Sequence, residues 1–349
     1  MNEKKSFFQM RIAELPYVTI FFLIVMCFNL YFMAPMMFSE IGLTNMILQM
    51  TPLLLLVMGQ AVVILSGNID LSIGAIVGTS AMIVGVLIDK EVSLGVAMIV
   101  ALLFCLVVGG INGLLVARCK LLLPDTKAKF TTLVKLKLPA VVITYIMMRA
   151  VIELRGISTL RMIPLGEGAR LERSTLLMIS FFVFILLLAL WIILEVTKMG
   201  KGIYVLGNAL NVKDLPGVAV TLNTVMVYMA SALSAGLAGL FIAFRLGGIS
   251  PLMGTGFMEL TILAAIISGI SFRGGQGIFI GVLIGVLYEQ VLRTGLIMLG
   301  VNAIFSRIII LIALIVLAVI NTAQSILIRN AREKVPQETL STIAEDAIR

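Results

Sequence analysis

The stretch Ser66-Gly67-Asn68-Ile69-Asp70-Leu71-Ser72-Ile73-Gly74 (SGNIDLSIG) places one carboxylate between two long apolar segments. The segment before it reads MILQMTPLLLLVMGQAVVIL (46–65), and AIVGTSAMIVGVLI (75–88) follows it. A carboxylate without a partner in apolar surroundings costs several kcal/mol, so such a residue is rarely neutral. The glycines and the polar side chains predict a break between two helices. Asp70 is expected to have a specific role at that break.

The composition of the whole chain indicates a membrane protein. Hydrophobic residues make up 60% of the 349 residues and charged residues only 13%. The mean hydropathy is +1.15. Soluble globular domains are about half apolar and a quarter charged. Apolar runs of about twenty residues recur along the chain, and each has the length that spans a hydrocarbon core. The sequence therefore predicts an all-α polytopic membrane protein.

Hydropathy predicts about ten transmembrane helices, at 17–38, 46–66, 71–88, 94–117, 138–154, 176–196, 218–244, 256–271, 277–299 and 303–327. A cytoplasmic N-terminus brings most of the 26 Lys and Arg to one face, as the positive-inside rule requires. The predicted organisation is a cytoplasmic lead (1–16), one transmembrane domain (17–327) and a cytoplasmic C-terminal tail (328–349). The basic segment 121–137 is predicted to be a loop inserted before a short fifth span.

A second stretch resembles the first. ILSGNIDLSIGAIVG (64–78) and IISGISFRGGQGIFIG (266–281) each place Ser-Gly at the end of one span and a glycine-rich start before the next. The two stretches are separated by an even number of predicted spans and therefore share an orientation. This pattern predicts a pseudo-two-fold repeat of two halves that face each other across a path.

Several kinds of chemistry are excluded by what the sequence lacks. It contains no G-x-x-x-x-G-K-[ST] phosphate loop, so the chain is expected to have no ATPase of its own. Without histidine it lacks an H-E-x-x-H zinc motif, and no G-x-S-x-G elbow occurs. Cys27, Cys105 and Cys119 are scattered, which fits neither a disulfide framework nor a metal site. The expected protein is not an enzyme and holds no metal or cofactor.

Four motifs, in order, resemble those of a known family. GNIDLSIGAIVG (67–78) is similar to the signature of ribose/galactose-type permease subunits of ABC sugar importers, in the binding-protein-dependent branched permease superfamily. The other three are NGLLVARCKL (112–121), GKGIYVLGNALNVKDLPGVAV (200–220) and the long stretch 231–301 that begins SALSAG. Together the resemblance covers roughly residues 45–322. It implies a permease subunit in the cytoplasmic (inner) membrane of a bacterium that moves a small polar solute inward.

The resemblance also implies a set of partners. These are cytoplasmic ABC ATPase subunits that use ATP and Mg²⁺, an extracytoplasmic solute-binding protein, and either a second copy of this permease or a sibling permease. The segment 198–217 resembles the cytoplasmic loop that couples to the ATPase, with Gly207, Asn208, Leu210, Lys213, Leu215 and Gly217 as its candidate contacts. It departs from the family pattern by lacking an acid and paired alanines and by adding Pro216. The alternative interpretation of the segment 198–217 is a solvated basic loop.

Two questions stay open at the level of sequence. Asp70 either caps the helix that follows it or gates a translocation path, for which the candidate residues are Asn68, Asp70, Ser72, Ser268 and Ser271. The solute is predicted to be a monosaccharide. The alternatives are a nucleoside, a branched-chain amino acid or a furanose-like signalling molecule carried by a permease of the same superfamily. An ion-coupled secondary carrier is the alternative from another class.

Overall fold

A computed structural model describes residues 15–122, 129–158, 163–165, 171–208, 219–250 and 252–333. In chain order the helices are α1 (Tyr17–Met33), α2 (Glu40–Leu65), α3 (Ile73–Asp89), α4 (Leu94–Leu122), α5 (Lys129–Ser158), α6 (Arg173–Val196), α7 (Lys198–Asn208), α8 (Val220–Leu246), α9 (Phe257–Ile267), α10 (Gly281–Met298) and α11 (Ala303–Glu333). A 3₁₀ turn, Pro35–Phe38, joins α1 to α2. Strands β1 (Ile163–Pro164) and β2 (Gly248–Ile249) pair antiparallel, with Ile163 opposite Ile249.

The predicted polytopic helical class is confirmed. Each apolar segment predicted from hydropathy is helical over most of its length. Six of the described helices, α2, α4, α6, α8, α10 and α11, are long and apolar enough to cross a membrane. Helices α1, α3 and α9 are apolar but shorter. The count of ten crossings, the side on which the termini lie and the domain limits stay predictions.

Two segments predicted as loops contain helix instead. Helix α5 begins at Lys129 and runs through Pro139, so the helix starts well before the predicted fifth span. The segment 198–208 forms α7. Hydropathy detects apolar windows and not helices as such, whereas Lys and Leu both favour helix. Charged or glycine-containing turns next to a span are therefore missed by a hydropathy criterion.

Helix α2 is the centre of the bundle. In its most apolar window 83% of the residues are buried, which fits a helix that contacts neighbours on all sides. It packs against α8 on one side and against α9 and α10 on another. Helices α4, α6 and α11, by contrast, expose mainly apolar side chains, as lipid-facing helices do. The break at residues 66–72 therefore directly follows the most buried of the six long apolar helices among the described residues.

Helices α4 and α8 approach each other closely because glycines face the contact. A Cβ atom added to Gly109 would lie 2.6 Å from the carbonyl oxygen of Tyr228 and 2.8 Å from Cβ of Ala232. One added to Gly113, a turn later, would lie 2.5 Å from Cα of Val225. Such small residues four apart allow the backbones of membrane helices to pack tightly. The neighbouring Gly110 lies outside this contact, since its Cβ would have 4.0 Å to the nearest atom.

The adjacent glycines provide a matched test of this packing. We expect Gly109→Ala to lower the thermal stability of the detergent-purified protein by about 1–3 kcal/mol, because backbone atoms of α8 must move. Gly110→Ala should be neutral or stabilising by up to about 1 kcal/mol, since alanine favours helix. Thermal unfolding of both variants measures the difference. Equal stability of the two would contradict the described α4–α8 interface.

Candidate functional site: two helix breaks and the short helix α7

The first break is an irregular segment that begins where α2 ends. Gly67 has φ of +77°, a conformation that glycine adopts without strain. The amide of Asn68 still donates to the carbonyl of Val63, at 3.1 Å, before the chain turns away. Regular bonding resumes with the amide of Ile76, which donates to the carbonyl of Ser72. Irregular backbone at membrane depth requires partners from the protein itself, and the side chains around this break provide them.

Asp70 accepts three hydrogen bonds at the centre of the break. Its Oδ1 accepts from the amide of Ser72 (2.9 Å) and from Ser72 Oγ (2.6 Å), and its Oδ2 accepts from Ser231 Oγ on α8 (2.9 Å). The side chain is fully buried. Donors on both oxygens offset part of the free energy lost when the carboxylate leaves water. The carboxylate thus bonds the residue just before α3 rather than an amide inside the helix.

Three more side chains, from α4, α5 and α8, bond to the same break. Asn112 Nδ2 of α4 donates to Ser72 Oγ (3.0 Å), Tyr228 OH of α8 donates to the carbonyl of Ile69 (3.1 Å), and Thr144 Oγ1 of α5 accepts from the amide of Leu71 (3.1 Å). Sequence reasoning did not single out these side chains. Asn112 and Ser231 lie within quoted family motifs, but nothing in the sequence marks Tyr228 or Thr144. The break is therefore held by α4, α5 and α8 together.

The second break begins as the first does, with a serine and a glycine of positive φ, and the predicted two-fold repeat of the halves stays a prediction. Ser268 follows the end of α9, as Ser66 follows the end of α2, and each donates its hydroxyl to a carbonyl three or four residues earlier. Gly269, with φ of +84°, corresponds to Gly67. The amide of Ser271 donates to the carbonyl of Gln276, which closes a turn within the break. The structure therefore places the five candidate path residues in two groups, one in each break.

The end of α7 contacts both breaks. The amide of Gly275, in the second break, donates to the carbonyl of Leu65 at the end of α2 (2.8 Å). Asn208 Nδ2, at the end of α7, donates to the carbonyl of Gly275 (2.9 Å). The hydroxyl of Tyr204, on α7, donates to the carbonyl of Gly277 (3.2 Å). These bonds join α7, α2 and the second break directly.

Glycine at each of four positions makes this contact possible. We call Gly67, Gly207, Gly274 and Gly275 the glycine junction. A Cβ atom on Gly207 would lie 1.9 Å from the carbonyl oxygen of Leu65, and one on Gly274 would lie 2.6 Å from Cα of Gly67. No side chain fits at either position without displacement of backbone. Of the predicted coupling residues, Gly207 and Asn208 belong to this contact, and Leu210, Lys213, Leu215 and Gly217 lie outside the described residues.

The core around the first break also contains amide atoms without partners. Within the described residues, the Oδ1 atoms of Asn68 and Asn112 accept no hydrogen bond, and neither amide atom of Gln60 on α2 has a partner. All three side chains are fully buried. Each unsatisfied buried polar group costs about 1–3 kcal/mol. The break is therefore well held at Asp70 but incompletely satisfied around it.

The described residues form a bundle of apolar helices with two irregular breaks, and the short helix α7 contacts both, which is the architecture of a polytopic membrane protein. A family model described as "Branched-chain amino acid transport system / permease component" matches residues 42–318. The chain therefore belongs to this permease family. The family predicted from the motifs is confirmed at this level. No solved structure matches the chain.

Similar proteins of known name are import permeases. The chain is 30% identical over 278 residues to the ribose import permease protein of Escherichia coli (strain K12). The aligned region covers 79% of this chain and 84% of that protein. The chain is 27% identical over 298 residues to the galactose/methyl galactoside import permease protein of the same strain, covering 80% and 86%. An autoinducer 2 import system permease protein of Photorhabdus laumondii is 30% identical over 264 residues, 72% of each chain.

The hydrogen bonds of Asp70 separate a structural role from a role of its charge. In Asp70→Asn the remaining carbonyl oxygen still accepts from Ser72, and the Ser231 hydroxyl is free to rotate and accept. We expect a loss of stability of about 1 kcal/mol or less. Asp70→Ala leaves three donors unpaired and should cost at least about 2 kcal/mol. Ser231→Ala, which removes one donor, is the intermediate control.

Thermal unfolding in detergent and solute uptake are measured for Asp70→Asn, Asp70→Ala and Ser231→Ala. If Asp70 only holds the break in place, the Asp70→Asn protein should keep most of its solute uptake. A folded Asp70→Asn protein that no longer transports would assign the charge to gating instead. Full stability of Asp70→Ala would contradict both roles.

Proposed function

We propose that this chain is the transmembrane permease subunit of an ABC importer that moves a monosaccharide inward across the cytoplasmic (inner) membrane. The observation that carries the proposal is the similarity to the ribose and galactose/methyl galactoside import permeases over about four fifths of the chain. The junction between α7 and the two breaks gives this assignment a mechanism. ATP and Mg²⁺ are used by partner ATPase subunits, and the permease itself carries out no chemistry.

The proposed orientation follows from the order of the helices. Helix α7 lies at the cytoplasmic end, together with the end of α4 and the start of α5, and the β1–β2 pair lies at the outer end. All ten predicted spans then cross the membrane, α3 and α9 as the short members of broken pairs. A solute-binding protein delivers the sugar at the outer end, and an ATPase subunit binds α7 and the segment after it.

The proposed mechanism is a bias on two arrangements of the helices. ATP binding moves α7 relative to the bundle, and the glycine junction passes this displacement to the end of α2 and to the second break. The closest contacts, of Gly207 with Leu65 and of Gly274 with Gly67, are backbone to backbone and leave little room for side chains to absorb the movement. A partner shifts such an equilibrium only through different contacts in the two states, and the junction is where those contacts change.

The candidate path residues act in this mechanism through the breaks rather than by binding sugar in the described conformation. Asn68, Asp70, Ser72 and Ser268 are fully buried within one chain. A path between two permease subunits is lined by surface that a single chain leaves exposed. We therefore place solute selectivity mainly in the binding protein and assign the breaks to gating movements. The second permease is either another copy of this chain or a sibling.

A furanose-like signalling molecule is the second candidate solute. Its support is the similarity to the autoinducer 2 import system permease of Photorhabdus laumondii. The chain is 30% identical to that protein over 264 residues, and 30% identical to the ribose permease of Escherichia coli over 278 residues. The family description likewise keeps branched-chain amino acids as a candidate class. These solutes are distinguished by transport and not by the described residues.

Transport by the assembled system tests the proposed function. The permease is reconstituted in proteoliposomes with its ATPase and binding protein, and uptake of labelled ribose, galactose, autoinducer 2, leucine and uridine is compared. We expect uptake of one monosaccharide that requires ATP hydrolysis and persists when proton and sodium gradients are dissipated. Uptake driven by an ion gradient without ATP would contradict the ABC assignment. Exclusive uptake of autoinducer 2 or leucine would replace the sugar.

Two substitutions on α7 separate docking of the ATPase from transmission to the breaks. Val205 is 43% exposed on the face of α7 away from the bundle, so Val205→Glu should weaken co-purification of the ATPase without unfolding the permease. Val205→Ala is its control. Asn208→Ala removes the bond to Gly275 and should leave the ATPase bound and active while uptake per ATP falls. Normal ATPase binding by Val205→Glu, or normal uptake by Asn208→Ala, would contradict the proposed coupling.

A further inference from the structure

A cavity of about 490 Å³ lies at the end of the bundle opposite α7. It is enclosed by the start of α9, the end of α10 and the start of α11. Its charged lining side chains are Glu259, Arg293 and Arg307, and Thr255 and Ser306 add hydroxyl groups. This cavity is remote from the two breaks, because α10 begins near the second break and runs 18 residues away from it.

One of the arginines already has a partner. Nε of Arg293 donates to Glu289 Oε1 (2.7 Å), and its Nη2 donates to the same oxygen. The two residues lie four apart on one face of α10 and form an i,i+4 ion pair. Glu289 is fully buried and Arg293 is partly exposed at the cavity. The charge of Arg293 is therefore largely compensated within the protein.

Arg307 and Glu259 are not compensated in this way. Within the described part of the chain neither forms an ion pair or a side-chain hydrogen bond, although both line the same cavity. Arg307 lies in α11 between Ile304 (71% exposed), Phe305 (64%) and Ile308 (48%). Charged side chains beside a lipid-facing surface are costly unless they are paired or reach the interface. The cavity is thus lined by one positive and one negative side chain, and a single ligand with both charges could contact the two.

We propose that this cavity binds the headgroup of a phosphatidylethanolamine molecule. Arg307 donates to the lipid phosphate, supported by the outer face of Arg293, and Glu259 accepts hydrogen bonds from the primary ammonium. The acyl chains extend over the exposed apolar surface formed by Ile304, Phe305 and Ile308. A zwitterion fits the separated charges of the site, whereas a purely anionic headgroup leaves Glu259 unpaired.

The commitment to a lipid, rather than to a soluble phosphate compound, comes from the surroundings of the cavity. Phe257, Leu260, Ile310 and Leu311 form an apolar wall, and Ile297 at the rim is 58% exposed. A soluble zwitterion gains nothing from these apolar surfaces, but acyl chains cover them. Arginine forms strong, charge-assisted hydrogen bonds with phosphate oxygens.

The test uses the full-length permease in detergent, titrated with palmitoyl-oleoyl phosphatidylethanolamine and followed by native mass spectrometry and thermal unfolding. Palmitoyl-oleoyl phosphatidylglycerol and soluble O-phosphoethanolamine are the comparison ligands. We expect Arg307→Gln to weaken phosphatidylethanolamine binding by about tenfold, as loss of one charge-assisted hydrogen bond implies. Glu259→Gln should retain lipid but lose the preference for phosphatidylethanolamine over phosphatidylglycerol. Arg149→Gln, at an exposed i,i+4 pair on α5, is the matched control.

Four outcomes would overturn the proposal. Unchanged phosphatidylethanolamine binding by Arg307→Gln would exclude the site, and an equal loss in Arg149→Gln would reduce it to a general charge effect. Equal stabilisation by O-phosphoethanolamine and by the lipid would assign the cavity to a soluble zwitterion. If Arg307→Gln left lipid binding unchanged but weakened association of the solute-binding protein, the cavity would be assigned to protein docking. None of these results depends on which solute the permease transports.

Discussion

Every backbone amide and carbonyl inside a membrane protein requires a partner from the protein, and this constraint decides how the first break is built. A continuous helix satisfies its own backbone, whereas the segment between α2 and α3 does not. The carboxylate of Asp70 accepts from the amide of Ser72, the hydroxyl of Tyr228 donates to the carbonyl of Ile69, and Thr144 Oγ1 accepts from the amide of Leu71, so three side chains replace missing helical bonds. Because Tyr228 belongs to α8 and Thr144 to α5, the positions of α5, of α8 and of the break between α2 and α3 depend on one another there.

The glycine junction depends on this arrangement. The carbonyl of Leu65 is available to Gly275 only because α2 stops at that point and the chain turns at Gly67. The absence of side chains then lets the end of α7 approach the same spot. The two breaks contact each other, and both contact the peripheral helix α7. The backbone of all three therefore forms one connected unit. The proposed coupling therefore needs to pass only over the short contacts of this unit.

The sequence predicted the parts of this unit that depend on local composition. Apolar runs located the spans, and SGNIDLSIG located the break, because polar residues between such runs have few structural explanations. The charged start of α5 and the amphipathic α7 were missed, since hydropathy weighs transfer to lipid and not helix formation. The partners of Asp70 could not be predicted, because Ser231 lies 161 residues away in sequence and becomes a neighbour only through tertiary packing. The meeting of the two breaks at the glycine junction likewise has no local signal.

The unsatisfied amides near the first break fit a protein that must change between two arrangements. A shift from 1:99 to 99:1 between two states requires about 5.5 kcal/mol of differential binding. The unpaired amide atoms of Gln60, Asn68 and Asn112 cost about 1–3 kcal/mol each, which is the same order. In the proposed mechanism, a core with every polar atom satisfied would lie deeper in free energy and would require more differential binding to leave the described arrangement. Asp70 keeps the break defined, and under the same proposal the incompletely bonded amides around it lower the free energy needed for that change.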